Sequence, residues 1–338
     1  MLSILSRSTT AALLLAVAAL QSPAVILANT SPDFSGQATG LHATVLGTPL
    51  TFAGTGPLPS SGGAQQASLL SASVPGVATA EVLHATTIGQ NESSQSEASL
   101  ASLTVTAGSN TVAADFLMSR TTATCSSNGA TTSGNSEIVG LMINGQSVNV
   151  SGSPNQTVTL PAKAGEVIIN QQTTAPGSIT VNALHVIATG VADVVVSSAH
   201  ADISNCPPPG QSGGCKGGDF VTGGGWIDPS GSRDNFAVAG GIKNGNLWGH
   251  LEYHDHSPSG LTVHGTGVTM YTVTGTTSRH IEGTAEVNGQ SGFTYAVDVV
   301  DNGEPGRSDL FAITLSSGYN AGPSNLGGGN IKLHDPCD

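Results

Sequence analysis

Positive charge is what this sequence has least of. Among 338 residues there are nine Lys and Arg against 22 Asp and Glu, giving a formal net charge of −13. So few cations cannot neutralise a row of phosphates, which argues against a nucleic-acid partner and against attraction to an anionic membrane surface. Charged residues of both signs amount to only 9% and aromatic residues to 4%. Stretches rich in Leu, Glu, Lys and Gln, which long helices favour, are missing. After the N-terminus no second long apolar run occurs, so no membrane span is expected there once the signal is removed. No P-loop or dinucleotide fingerprint has its proper context.

What is present is Gly, at 45 residues, together with frequent Ser, Thr, Val and Ala. That mixture favours β-strands joined by Gly-rich turns, and its β-branched residues recur too regularly for a disordered chain. The length suggests two domains, each with its own core. Residues 1–28 carry one basic residue, Arg7, then the apolar run Ala11 to Leu20 and a small-residue exit ending at Ala28. This is the pattern of a secretory signal peptide; Gln21, Ser22 and Pro23 stop the run short of a span. Residues 29–206 read as one β domain, 207–217 as a Pro/Gly linker, and 218–338 as a second β domain.

Export gives the cysteines a meaning. Cys125, Cys206, Cys215 and Cys337 are an even set, which reads as two disulfides in an oxidising compartment. Of three pairings, Cys125–Cys206 with Cys215–Cys337 keeps each bridge inside one domain and is the expected one. In the loop-entropy account the second bridge is worth roughly 4 kcal/mol. A zinc site made of these cysteines fits badly, because no Cys-x-x-Cys pair exists.

Short strand patterns fill the first domain, among them Thr111–Met118, Ser178–Ile187 and Val191–Val196. Asn144-Gly145 marks a hairpin turn. Ala64–Ala72 is read as a short helix. Gly140-Leu141-Met142-Ile143-Asn144-Gly145, Ile169-Asn170-Gln171-Gln172 and Ile179-Thr180-Val181-Asn182-Ala183-Leu184-His185-Val186 resemble the choice-of-anchor P family of bacterial surface and secreted proteins. Thr222-Gly223-Gly224-Gly225-Trp226-Ile227, Phe236 to Gly241, Arg279-His280-Ile281-Glu282-Gly283, Asp301 to Gly306 and Gly329 to His334 resemble the post-choice-of-anchor domain that often follows it. The resemblance implies a surface or secreted protein and no catalytic residues. No sorting motif precedes Asp338, which predicts release, or loose association with the cell surface, rather than anchoring.

In the second domain, apolar and polar residues alternate. Leu247, Leu251 and Tyr253 share one face; Trp248, His250, Glu252, His254 and His256 share the other. Ile281, Gly283, Ala285 and Val287 oppose His280, Glu282, Thr284 and Glu286, and an Asn288-Gly289 turn follows. Period 2 with one polar face predicts an antiparallel sheet packed on one side, with the polar row as an outer face or the floor of a groove. The fold class expected is all-β, with two antiparallel sandwich-like domains.

Residues two apart on a strand point the same way, so His250, His254 and His256, with His264 from the next strand, are the candidate ligands for zinc, copper or nickel. A five-residue turn would set His254 opposite His264 and Glu252 opposite Thr266 while keeping odd positions apolar on both strands, and that register is expected. The competing interpretation is a row of surface histidines. Asp301 to Asp309 is an acidic loop that offers oxygen ligands to calcium but lacks the spacing of a calcium-binding loop; a hairpin turn is the simpler interpretation. Gly210-Gln211-Ser212-Gly213-Gly214 matches the G-x-S-x-G pattern without the strand and helix a nucleophile elbow needs. Trp226 and Trp248 are read as packing residues rather than sugar platforms. Glu252, Glu282, Glu286 and Asp298 share a face and form the candidate carboxylates for glycoside hydrolysis. With no catalytic set in context, the expected function is a secreted, non-catalytic structural or binding protein whose partner is a polysaccharide or another protein. A metal-binding protein is the alternative, and a carbohydrate-active enzyme the weaker one.

Overall fold

A computed structural model describes residues 31–207, 218–243 and 245–334. Residues 1–28, read above as a signal peptide, most of the linker with its Gly210–Gly214 pattern, and Cys215 and Cys337, with the bridge expected between them, lie outside the described residues. In chain order the strands are β1 Asp33–Phe34, β2 Gln37–Val45, β3 Thr48–Gly54, β4 Gly63–Val74, β5 Ala78–Gln90, β6 Ser93–Ala107, β7 Asn110–Ser126 and β8 Gly129–Val139. There follow β9 Met142–Ile143, β10 Gln146–Ser147, β11 Gln156–Thr159, β12 Gly165–Ala175, β13 Ser178–Ala188 and β14 Ala192–Ser204. The second unit holds β15 Phe220–Ile227, β16 Asp234–Lys243, β17 Asn246–Asp255, β18 Thr262–Val273, β19 Ser278–Val287, β20 Gln290–Val300, β21 Leu310–Leu315, β22 Asn320–Asn325 and β23 Gly328–His334. The protein is all-β, and every strand pair is antiparallel. No helix among the described residues is long and apolar enough to cross a membrane.

Residues 64–72 are extended in β4, not helical. Their apolar side chains do not recur at helical spacing, and pairing with β5 along nearly the whole strand decides their form. The Asn144-Gly145 turn is as predicted: both residues have positive φ, 51° and 74°, and the hairpin pairs Ile143 with Gln146.

The first unit is a two-sheet sandwich. One sheet runs β11-β12-β13-β14-β2-β3 with β1 against β14; the other runs β10-β9-β7-β6-β5-β4 with β8 against β7. Leu41, Leu83, Leu100, Leu103, Leu117, Ile169, Val186 and Val194 fill the space between them. Cys125 and Cys206 form a disulfide that ties the end of β7 to the segment after β14. The bridge therefore joins one sheet to the other.

The second unit is a single nine-stranded sheet, β22-β21-β20-β19-β18-β17-β16-β15-β23. It curls over its own core. Phe236 on β16 and Phe311 on β21 stack at 4.0 Å between ring centroids, although five strand spacings of ~4.8 Å each would hold them about 24 Å apart in a flat sheet. The odd-numbered residues read as apolar, including Leu251, Tyr253, Ile281 and Val297, line that core. Leu247 is the exception and is exposed.

The opposite face of β15, β16 and β17, which carries the paired residues Gly224, Ala237 and Glu252, is turned away from that core. It packs against the outer face of the sheet formed by β4 to β8, so three β layers are stacked and the middle one is covered on both sides. Val82 to Gly89 on β5 and Ser96 to Ala101 on β6 are buried without a break. A sheet with one wet face would alternate.

Candidate functional site

The seam between the units is built from polar residues at its centre and apolar ones at its flanks. Phe220 and Trp248, with ring centroids 5.5 Å apart, pack on Ala64 and Ile88 at one flank. Trp226 packs on Phe116, Met118 and Val139 at the other, with the Arg233 guanidinium 4.4 Å above its ring. The chain has two Trp residues, and both are used here as packing groups, as the sequence suggests. Gly224 sits between the flanks, where a Cβ would lie 2.2 Å from Ser99 Oγ. Gly224→Leu therefore forces the layers apart without touching either core. Overpacking of this kind costs about 1–3 kcal/mol. The expected result is a red-shifted tryptophan emission with the strand content by circular dichroism unchanged.

The polar residues of β17 meet partners from β4 and β5. His250 Nδ1 bonds Gln66 Oε1, and its Nε2 lies 2.9 Å from His84 Nδ1. Because His250 donates from Nδ1, its Nε2 accepts and His84 donates. The remaining His84 nitrogen, Nε2, points at Glu97 Oε1 across 3.6 Å. Burial, reinforced by the charges His84 and His264 would carry, holds His250 well below the usual histidine range, so it stays neutral. Glu252 is fully buried; it accepts from Ser68 Oγ at 2.9 Å and from His264 Nδ1 at 2.9 Å. Burial raises its carboxyl, with the His264 bond opposing.

His254 and His256 belong to a separate group. His254 Nδ1 is 3.2 Å, and His256 Nε2 3.8 Å, from Glu81 Oε2 on β5. The two imidazoles lie 3.9 Å apart between ring centroids, tilted by 35°. The His254 ring beside it, against the effect of burial, pulls Glu81 below its ordinary value. Burial, with His254 next to it, lowers His256.

The four histidines named from sequence therefore do not converge on one ion. The register is Glu252 opposite His264 and His254 opposite Thr262, two residues from the expected one. Parity is kept, so Tyr253 and Val263 still face the core; parity alone cannot distinguish slips of two. His250 is consumed by His84 and Gln66, and His264 by Glu252. On β17 the first unit covers His250 and Glu252, leaving His254 half-buried and His256 exposed at the edge, whereas on β19 and β20 Thr284, Thr294 and Asp298 stand on an outer face as expected. Glu81 was not legible as a ligand. Two β-bulges bracket it, with Val82 and Ser102 at positive φ, 47° and 50°, and bulges re-aim side chains. The one available signal was a Glu and a His within the otherwise apolar Ala80–Ala85 run.

The carboxylate row also divides. Glu252 lies at the seam, while Glu282 and Asp298 flank His280 at 3.2 and 2.7 Å. The Asp298 bond raises His280. Glu286 accepts from Ser291. The acidic loop is a turn. Asp309 accepts from the N–H groups of Asn302 and Ile331, both at 2.8 Å, and Asp301 from those of Gly303 and Leu333. Its oxygens are engaged by backbone donors, leaving no calcium cage.

One open cleft of about 430 Å³ lies along the seam. Thr121, Thr122, Ser133 and Asn135 line it from the first unit, and Thr222, Asn330, Lys332 and His334 from the second, with Glu97, Arg120 and Glu304 inside. Arg120 bridges the units through Glu304 at 2.8 Å. Such a lining offers hydroxyl and amide groups with balanced charge, which suits a neutral polar ligand. Comparison with family models, curated proteins and solved structures returns no match.

Proposed function

We propose that this is an exported, non-catalytic extracellular structural or binding protein, and that the seam cleft is where it takes a segment of polysaccharide or an extended peptide. The observation that carries this reading is the cleft itself: a polar, hydroxyl-rich space of about 430 Å³ contributed by both units. Export is supported by the pattern of residues 1–28 and by the Cys125–Cys206 bridge, which belongs to an oxidising compartment. A non-catalytic role is supported by where the polar row goes. Its histidines and Glu252 are spent on bonds between layers, and fixed groups of that kind rigidify a body more readily than they turn over substrate.

The test is adhesion of the purified full chain to immobilised polysaccharides and matrix proteins. Ser133 stands exposed at the rim of the cleft. Ser133→Trp should lower binding at least tenfold while leaving the melting temperature in place. Binding unaltered by that substitution would remove the cleft from consideration. Hydrolysis of a glycan that disappears in Glu97→Gln would replace the binding reading with an enzymatic one.

A further inference from the structure

Glu81 comes from the first unit and His254 and His256 from the second, and their three ligand atoms all lie within 4.8 Å of one another. We propose that they hold one divalent transition-metal ion, of which zinc is the expected member, as a clamp between the two units. This goes beyond the binding reading and does not depend on it.

The geometry fits the ion. Bonds of ~2.0–2.1 Å in a tetrahedron place neighbouring ligand atoms about 3.4 Å apart. Glu81 Oε2 is 3.2 Å from His254 Nδ1 and 3.8 Å from His256 Nε2, both within a few tenths of an ångström of that spacing, and the two nitrogens lie within 4.8 Å of each other. Two imidazole nitrogens and one carboxylate oxygen are a donor set for zinc, copper or nickel; calcium and magnesium prefer oxygen alone. His-x-His on a strand sends both rings to one side, and the paired bulges send Glu81 to meet them.

A second, independent feature points to the same place. Glu81 Oε2 is shut off from solvent and makes no hydrogen bond. Asn235, on the neighbouring β16, is 1% exposed, and its Oδ1 is also buried without a partner. Its Nδ2 stands 2.8 Å from His256 Nε2. Rotating that amide by half a turn brings Oδ1 to the position Nδ2 holds, where it supplies a fourth donor. A buried amide oxygen without a partner is costly, and an ion gives it one.

The test uses the full chain made without an affinity tag, stripped with a chelator and titrated with zinc chloride. One equivalent of zinc should bind, and the melting temperature should rise on binding and fall again with chelator. Glu81→Ala and His256→Ala should each lose the bound zinc and the rise. His42→Ala, on the far sheet against Thr51, should keep both. Should the variants misfold, X-ray absorption of the zinc-loaded wild type decides: two imidazoles in the zinc shell sustain the proposal. A shell of oxygen alone, no stoichiometric uptake, or uptake unchanged in Glu81→Ala overturns it.

Discussion

Asp219→Ala should cost the second unit about 3 kcal/mol, the low end of the range for removing one partner of a buried ion pair, because Arg279 is buried while Asp219 itself is 27% exposed. Arg279 is 2% exposed, yet it carries a full charge. It reaches Asp219 through two parallel bonds, Nε to Oδ1 at 2.8 Å and Nη2 to Oδ2 at 2.6 Å. Its Nη1 donates to the carbonyls of Gly275 and Ser278, and Tyr271 donates to the same Asp219 oxygen. Burial tends to raise the Asp219 carboxyl, but the Arg279 and Tyr271 bonds outweigh it and hold the group below its ordinary value. Without the carboxylate, the guanidinium keeps its two carbonyls and has no counter-charge. Urea unfolding followed by circular dichroism should show the loss. A loss under about 1 kcal/mol would mean that water already reaches Arg279.

That pair also shows what a sequence does and does not disclose. Arg279 opens one of the motifs that resemble the post-choice-of-anchor domain and Asp219 stands just before another, but nothing in their spacing says that they meet. The inward face was legible because parity needs only local information: Leu251, Tyr253, Ile281 and Val297 point to the core whatever lies on the other side. What covers the outward face is a long-range fact. His250 finds His84 across 166 positions, and Glu252 finds Ser68 across 184. Read alone, an alternating strand with histidines on one face looks half-wet. The missing cue was in β5, where His84 sits among Val82, Leu83 and Ala85 in a strand buried on both sides. A titratable group inside an unbroken apolar run marks a second covered face. The register of β17 and β18 failed for another reason: a two-residue slip preserves every inward and outward assignment, so hydrophobic pattern cannot select between them.

The seam is also why the two units behave as one layered body. Arg233 pairs with Asp115 at 3.1 Å, Arg307 with Glu137 at 3.3 Å, and Lys243 donates to the Ala64 carbonyl. With four of the nine Lys and Arg residues, counting Arg120, used across the seam, the scarcity of cations becomes informative. Those present are placed where acidic layers would otherwise repel each other. Raising salt should weaken these partly exposed pairs far more than the buried histidine and glutamate bonds.

The deepest pH dependence should come from His334. It is 5% exposed, stacks on Phe220 at 4.7 Å and faces Thr222 Oγ1 at 3.0 Å. Burial, with Lys332 beside it, lowers its pKa to about 3 from 6.5. A base depressed in the fold contributes stability that is present above its unfolded value and lost as pH falls. The loss therefore starts near pH 6.5 and continues to about pH 3, at about 1.4 kcal/mol per pH unit. By pH 3 that amounts to about 5 kcal/mol. Two carboxyls act in the opposite sense. Burial raises Asp234 and Asp309 to about 6 from 3.8, so their contribution is full below pH 3.8 and lost as pH rises through 6. The wild-type profile between pH 3.8 and 6 consequently hides the histidine. Comparison with His334→Gln reveals it, since the carboxyls are common to both proteins. The substitution should be unfavourable or neutral at pH 7 and become progressively more favourable below pH 6.5. Urea unfolding of the two proteins at half-unit steps from pH 7 to pH 4 measures the difference. A difference that stays constant across that range would show that His334 takes its proton inside the fold, and with it the water that burial is held to exclude.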